Sequence, residues 1–270
     1  MKVTMLGSGG SGGVPLIGCR CATCTSRDPM NRRLRVSIVV EGDDGRRILV
    51  DTSPDLRQQF LAQGLVTVDA VILTHAHADH MHGIDDLRSV NYHRNAPLEV
   101  WADAATLAEA TGRFGYCFDP PRTNAGIWYA PSLVGREIPV GSPVEIAGMQ
   151  VLAFHQVHGG TRPPTLGLRF GAFAYSTDVK EMPEEGFAAL EGIDTWIVDC
   201  LQDEPNVAHS HLPQTLGWIE RVRPRRAVLT HMGHRLEYHD LARRLPRGVV
   251  PGHDGLVVKI GVDPLKKPIL

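Results

Sequence analysis

The segment Leu73-Thr74-His75-Ala76-His77-Ala78-Asp79-His80 gathers three imidazoles and one carboxylate within six positions. Two histidines one residue apart can reach a single ion from an extended strand end, and the Asp79-His80 pair, after a turn, can serve a second ion beside it. Histidines scattered through a polar loop would not collect in this way, so H-x-H-x-D-H reads as a metal-binding motif. A second cluster, Cys19-Arg20-Cys21-Ala22-Thr23-Cys24, offers three thiolates, one ligand short of a closed tetrahedral zinc site of the Cys3His type. The chain has five cysteines, an odd number, and metal binding accounts for this cluster better than disulfides do. Cys117 and Cys200 stand apart and read as small buried hydrophobes.

A rival signal precedes the cysteines. Gly7-Ser8-Gly9-Gly10-Ser11-Gly12 matches G-x-G-x-x-G and follows a strand-like run, Lys2 to Leu6. A dinucleotide loop must open a helix, yet Gly13-Val14-Pro15-Leu16-Ile17-Gly18 follows, and no helix fits there. The better reading is a glycine-rich turn that lets backbone pass close to a site.

The elements that must position these groups alternate along the chain. Apolar β-branched runs at 36–40, 48–50, 70–73, 151–154, 196–198, 227–229 and 256–260 read as strands. Helical patterns are expected over 55–63, 104–110, 184–190, 213–222 and 238–244. The stretch 120–143 is rich in Pro and Gly and yields no element. No repeat or linker divides the 270 residues, so one α/β domain is expected. A net charge of -2 argues against a protein that grips nucleic acid or anionic membrane through overall charge. No apolar run approaches the roughly 20 residues of a membrane helix, and no signal h-region follows Lys2, so the cytoplasm is the expected compartment. Arginines at 32, 33 and 35, and at 221, 223, 225 and 226, alternate with apolar residues and read as solvated faces.

The H-x-H-x-D-H segment at a strand end resembles the metallo-β-lactamase superfamily. That resemblance implies an αββα sandwich forming a single domain over 1–270, with a metal site along the edge between its sheets. It also implies ligands further along the chain: His158 beyond the 151–154 strand, Asp178 in Tyr175-Ser176-Thr177-Asp178, and His231 in Val228-Leu229-Thr230-His231. His155 rivals His158, but the position beyond the strand and the following Gly159 favour His158. By analogy His75, His77 and His158 hold one ion, Asp79, His80 and His231 the other, and Asp178 bridges them. Two divalent cations, zinc or manganese, are therefore implied. Asp51 and Asp199, each ending a strand, read as supporting carboxylates or as turn caps.

The cysteine run narrows the resemblance. It is similar to that of the phosphodiesterases of the carbon-phosphorus lyase pathway, in which a histidine three residues past the last catalytic histidine completes a structural zinc site; here that residue is His234. Gly7 to Pro15, Leu49 to Asp55, Ile197 to Cys200 and Asp254-Gly255 extend the likeness over nearly the whole chain. His209 and His211, just before the helix near Pro213, both remain candidates to protonate the leaving group, and Asp79 is a candidate catalytic carboxylate as well as a ligand. The loop His158 to Thr165 is longer than its counterpart in those relatives.

The implied activity is hydrolysis of small phosphodiesters such as cyclic nucleotides or ribosyl cyclic phosphates. The alternatives are a tRNA 3'-processing-type nuclease, for which no basic arm is evident, and a biosynthetic or binding protein like the PQQ-pathway B protein. The expected partner is a small phosphodiester; RNA is the less favoured one, no membrane partner is expected, and a homodimer stays open.

Overall fold

In the computed structural model, which describes residues 1–119, 123–124, 127–159 and 163–261, the apolar runs become strands. One sheet takes β1 (Lys2–Gly7), β2 (Ser37–Glu41), β3 (Arg47–Val50), β4 (Ala70–Ile72) and β5 (Leu98–Ala102). After a short pair, β6 (Thr123–Asn124) and β7 (Ile127–Trp128), it also takes β8 (Leu133–Glu137). The second sheet runs through β9 (Pro143–Ile146), β10 (Met149–Gln156), β11 (Thr165–Phe170), β12 (Phe173–Ser176), β13 (Thr195–Asp199), β14 (Arg226–Thr230) and β15 (Val249–Pro251). Finally β16 (Val257–Lys259) returns to the first sheet beside β1, giving the spatial orders β16-β1-β2-β3-β4-β5-β8 and β15-β14-β13-β12-β11-β10-β9.

Alternation along the strands sorts side chains into layers. Val3 and Met5, Ile38 and Val40, Ile48 and Val50, and Ala70 and Ile72 face the second sheet, where Val151, Leu168, Phe170, Tyr175 and Ile197 meet them. The intervening Val39, Leu49 and Val71 face outward onto α2 (Leu56–Gln63), α4 (Leu87–Arg94) and α5 (Ala104–Phe118); the short α1 (Ala22–Thr25) precedes α2, and α3 (Ala78–Met81) lies between α2 and α4. On the far side Ala174, Trp196, Val198 and Leu229 pack with α6 (Glu184–Ala189), α7 (Leu212–Val222) and α8 (Tyr238–Arg244). Burying each Val or Leu in such a layer contributes about 1.5–3 kcal/mol. The result is the expected αββα sandwich, a single domain.

Helix ends follow local chemistry. The Asp103 side chain caps α5 by accepting from Thr106 N at 2.7 Å, and Gly64 ends α2 at φ 61°. The α5 helix runs past the expected 104–110 to Phe118, with non-helical angles at Phe114. Strands β3, β4, β5 and β8 run parallel to one another, as do β12, β13, β14 and β15. Their carboxyl ends therefore open on a shared edge, the usual place for ligands in such sheets.

Candidate metal centre

The histidines and aspartates leave the strands at that edge. Beyond β4 come Thr74, His75 and His77, and the single turn of α3 carries Asp79 and His80. Past the end of β10 lies His158, past β12 lies Asp178, and past β14 lies His231. Donor atoms of His75, His77, His158 and Asp178 lie within 4.8 Å of one another, and so do those of Asp79, His80, Asp178 and His231. Asp178 belongs to both groups and divides them by oxygen. Its Oδ2 lies 3.8 Å from His75 Nε2 and 3.6 Å from His158 Nε2, whereas Oδ1 lies 3.0 Å from His80 Nε2 and 3.3 Å from His231 Nε2. The rival His155 stays on β10 with its side chain exposed, outside both groups.

Three residues here hold left-handed backbone without being glycine: Asp51, Asp178 and His231, at φ 65°, 52° and 55°. Such conformations cost of order 1–3 kcal/mol each and persist where the surroundings enforce them. The glycine-rich start of the chain supplies part of that enforcement. Gly10 N donates to Met232 O at 3.2 Å and Met232 N to Ser8 O at 2.9 Å, and a side chain on Gly10 would stand 3.4 Å from the His231 ring.

Hydrogen bonds on the far nitrogens set the imidazoles. His80 Nδ1 donates to Asp51 Oδ2 at 2.7 Å. Asp51 Oδ1 accepts from Thr74 N at 2.8 Å, and the Thr74 hydroxyl donates to the same carboxylate. That hydroxyl can then only accept from His75 Nδ1, 3.0 Å away. The carbonyl of Ala208 accepts from His158 Nδ1 at 2.7 Å. In each case Nε2 is left facing Asp178. Burial drives the His75 imidazole well below its ordinary pKa and lowers that of His158, so both are neutral donors of electron pairs. Burial would raise the Asp178 carboxyl, but His231 and His80 hold it well below the usual carboxylate range.

Whether cations fit can be tested on the polar atoms themselves. His75 Nε2, His80 Nε2, His231 Nε2, Asp79 Oδ2 and Asp178 Oδ2 are buried and have no hydrogen-bond partner. A buried polar atom left unmade costs about 1–3 kcal/mol, so five such atoms converging on one space make a site shaped for cations. Imidazole nitrogen with carboxylate oxygen suits zinc and other first-row divalent ions.

Of the two candidate acids, the structure brings only His209 to the cluster. His209 Nδ1 donates to Asp199 Oδ2 at 3.0 Å, and its ring stacks on His231 at 4.5 Å and meets His158 edge-on at 4.7 Å. Burial alone would lower this imidazole, but the Asp199 carboxylate overrides it and pushes the pKa up to about 9. His211 is not brought in. It stands at the cap position of α7, where its Nδ1 lies 3.2 Å from Gln214 Oε1, because the helix begins one residue later and turns that side chain away.

The three thiols of Cys19, Cys21 and Cys24 also gather within 4.8 Å of one another. His234 stands beside them: its backbone carbonyl lies 3.8 Å from Cys21 Sγ, and its ring is not among the gathered donors. The backbone contact fixes where the residue sits, and two side-chain torsions decide where the ring points. Arg33 overturns the reading of a solvated face. It is 2% exposed, and its guanidinium donates to Gly233 O at 3.0 Å and Leu236 O at 2.6 Å, tying β2's approach to the His231–His234 loop. Sequence reasoning also missed Thr74, whose only signal is its place directly before His75. Beside His75, His77 and His158 opens a cavity of about 330 Å³ walled by Thr106, Glu109 and Arg113 of α5 and by Pro163 and Pro164. Residues 160–162 of the long loop lie outside the described residues.

Two stacked sheets between helix layers, with two donor groups sharing one aspartate at their edge, define the class of fold found in metal-dependent hydrolases of the metallo-β-lactamase type. The family described as "Beta-lactamase superfamily domain" matches residues 46–232. The crystal structure of a new diphosphatase from the PhnP family superposes with a TM-score of 0.87 at 34% identity, covering 96% of this chain and 97% of that one. An octanoyltransferase of Porphyromonas gingivalis is 35% identical over 258 residues, 95% of this chain, and the chain spans only 51% of that protein's length. The coenzyme PQQ synthesis protein B of Methylorubrum populi is 36% identical over 250 residues, covering 81% of this chain and 79% of that protein. The chain belongs to the metallo-β-lactamase superfamily and is a PhnP-like protein within it.

Proposed function

We propose that the protein is a dinuclear metal-dependent phosphodiesterase acting on small phosphodiesters, with cyclic nucleotides and ribosyl cyclic phosphates as the substrate class. The observation that carries this reading is Asp178, whose two oxygens face two separate donor groups. His75, His77 and His158 would hold one cation and Asp79, His80 and His231 the other, with Asp178 between them. Paired divalent cations would supply Lewis acidity, lowering the pKa of water so that hydroxide is available near neutral pH and neutralising charge on the phosphoryl oxygens.

The chain's own groups do the rest. Asp51 and Thr74 keep His75 and His80 aimed at the reacting centre. His209, whose Nδ1 is hydrogen-bonded to Asp199, would present a proton beside the cluster for the departing alkoxide. The 330 Å³ cavity beside His77 has the size for a small-molecule substituent rather than a folded nucleic acid, and it sits where one ester arm would project. A structural zinc at Cys19, Cys21 and Cys24, with His234 as fourth ligand, belongs to the same reading.

The test is turnover of bis(p-nitrophenyl) phosphate, cyclic nucleotides and precursor tRNA by metal-reconstituted protein and by Asp178→Ala. Wild-type turnover of small diesters should fall by more than about 100-fold in the variant, beyond what loss of a merely supporting residue gives. Undiminished turnover would reject the assignment. Identity with the coenzyme PQQ synthesis proteins B supports a second, non-hydrolytic reading. Metal-loaded protein inert toward every diester would favour it.

A further inference from the structure

We infer that Asn206 is a positioning residue for His158 and His209 at once, because its side chain sets the shape of the turn that both histidines depend on. For its kinetic consequence the inference rests on the proposed phosphodiesterase reading. Asn206 Oδ1 accepts from Ala208 N at 2.8 Å and from His209 N at 3.2 Å. These bonds close the turn from within. The carbonyl of Ala208, thus aimed, accepts from His158 Nδ1 at 2.7 Å, and His209 places its ring against Asp199, His158 and His231.

Past His209 the chain is anchored at Ser210, whose N donates to Val179 O at 2.7 Å and whose hydroxyl donates to Asp199 O at 2.7 Å, so the shape of the turn before it falls to Asn206. Residues 203–209 form no helix or strand, and Val207 is 87% exposed, so its side chain anchors nothing. From below, the turn rests on Gly159 at a distance only glycine allows. A Cβ there would stand 1.9 Å from Val207 O and 2.8 Å from Ala208 Cα. Gly159 thus limits how deep the turn can sink, and Asn206 fixes how it is folded. Removing the amide leaves two backbone N–H groups without their acceptor and frees the Ala208 carbonyl to swing off His158. With that acceptor gone, the hydrogen bond that holds the proton on Nδ1 and turns the Nε2 electron pair of His158 toward Asp178 before any cation binds is lost.

The test compares Asn206→Ala with Asn206→Asp, whose carboxylate offers the same acceptor. On bis(p-nitrophenyl) phosphate, N206A should lower kcat by about 10- to 100-fold with KM changed less than about threefold, and N206D should recover most of the loss. Imidazole proton NMR of histidine-labelled protein supplies the readout that needs no turnover. The His158 Nδ1–H resonance, identified by its disappearance in His158→Gln, should be lost in N206A and kept in N206D. Wild-type kcat together with an intact resonance in N206A overturns the inference, as does equal loss in both variants. A resonance lost in N206A and kept in N206D supports it even where the wild-type protein cleaves no diester, an outcome that counts against the proposed function alone.

Discussion

Two hydrogen-bond relays decide which nitrogens face the reacting centre. Asp51 accepts from His80 directly and, through the Thr74 hydroxyl, sets His75 as well, so one buried carboxylate orients a donor in each group. The Asp51→Asn variant cannot satisfy this arrangement. Its amide nitrogen must point at either the Thr74 N–H or the His80 Nδ1–H, putting donor against donor. Metal affinity or diesterase rate should fall about 10- to 100-fold in Asp51→Asn, the range for partners of metal-binding histidines, as read by equilibrium dialysis against zinc or manganese. Affinity equal to wild type would show that Asp51 only caps its turn. The ligand types and spacings were legible in the sequence because H-x-H-x-D-H is local. The choice between His209 and His211 was not, since it depends on where α7 begins: with Leu212 as its first residue, His211 falls at the cap and His209 in the cluster.

Among the elements, central strands announced themselves and edges did not. Strands β2, β3, β4, β13 and β14 are buried on both faces and carry unbroken apolar runs, so their positions could be read directly. Strand β8 is exposed over Val134 to Glu137 at one sheet edge, and α4 is largely polar, so neither carries the pattern that betrays an element. Strand β11 was hidden by Gly167, where a Cβ would stand 2.3 Å from the Phe154 ring. The turn between β15 and β16 reaches back to the start of the chain through Asp254, which accepts from Ser8 N, Ser8 Oγ and Leu34 N at 2.9, 2.9 and 2.7 Å. Burial pushes this carboxyl up to about 6. The folded state therefore binds the proton more tightly than the unfolded chain, whose value is about 3.9, and between those two values stability falls as pH rises. The term amounts to roughly 2–3 kcal/mol and is absent from Asp254→Asn. The stability deficit of that variant, measured by urea unfolding, should accordingly shrink between pH 4 and pH 7; a deficit that grows over this range would show that the donors favour the carboxylate over burial.

For the molecule as a whole, the cluster exists only when both sheets are in place. His75, His77, Asp79 and His80 come from the first sheet's edge, and His158, Asp178 and His231 from the second. Core side chains between the sheets, such as Val50 and Ile72 against Tyr175 and Ile197, therefore hold the two donor groups in register as well as stabilising the fold. Among the described residues no helix is long and apolar enough to cross a membrane. The central claim is that this sandwich edge holds two cations on either side of one carboxylate. Anomalous diffraction from crystals grown with zinc or manganese, collected at the metal's absorption edge, addresses it most directly. The account requires two peaks flanking Asp178, one among His75, His77 and His158 and one among Asp79, His80 and His231. A lone peak, or peaks lying away from Asp178, would contradict it.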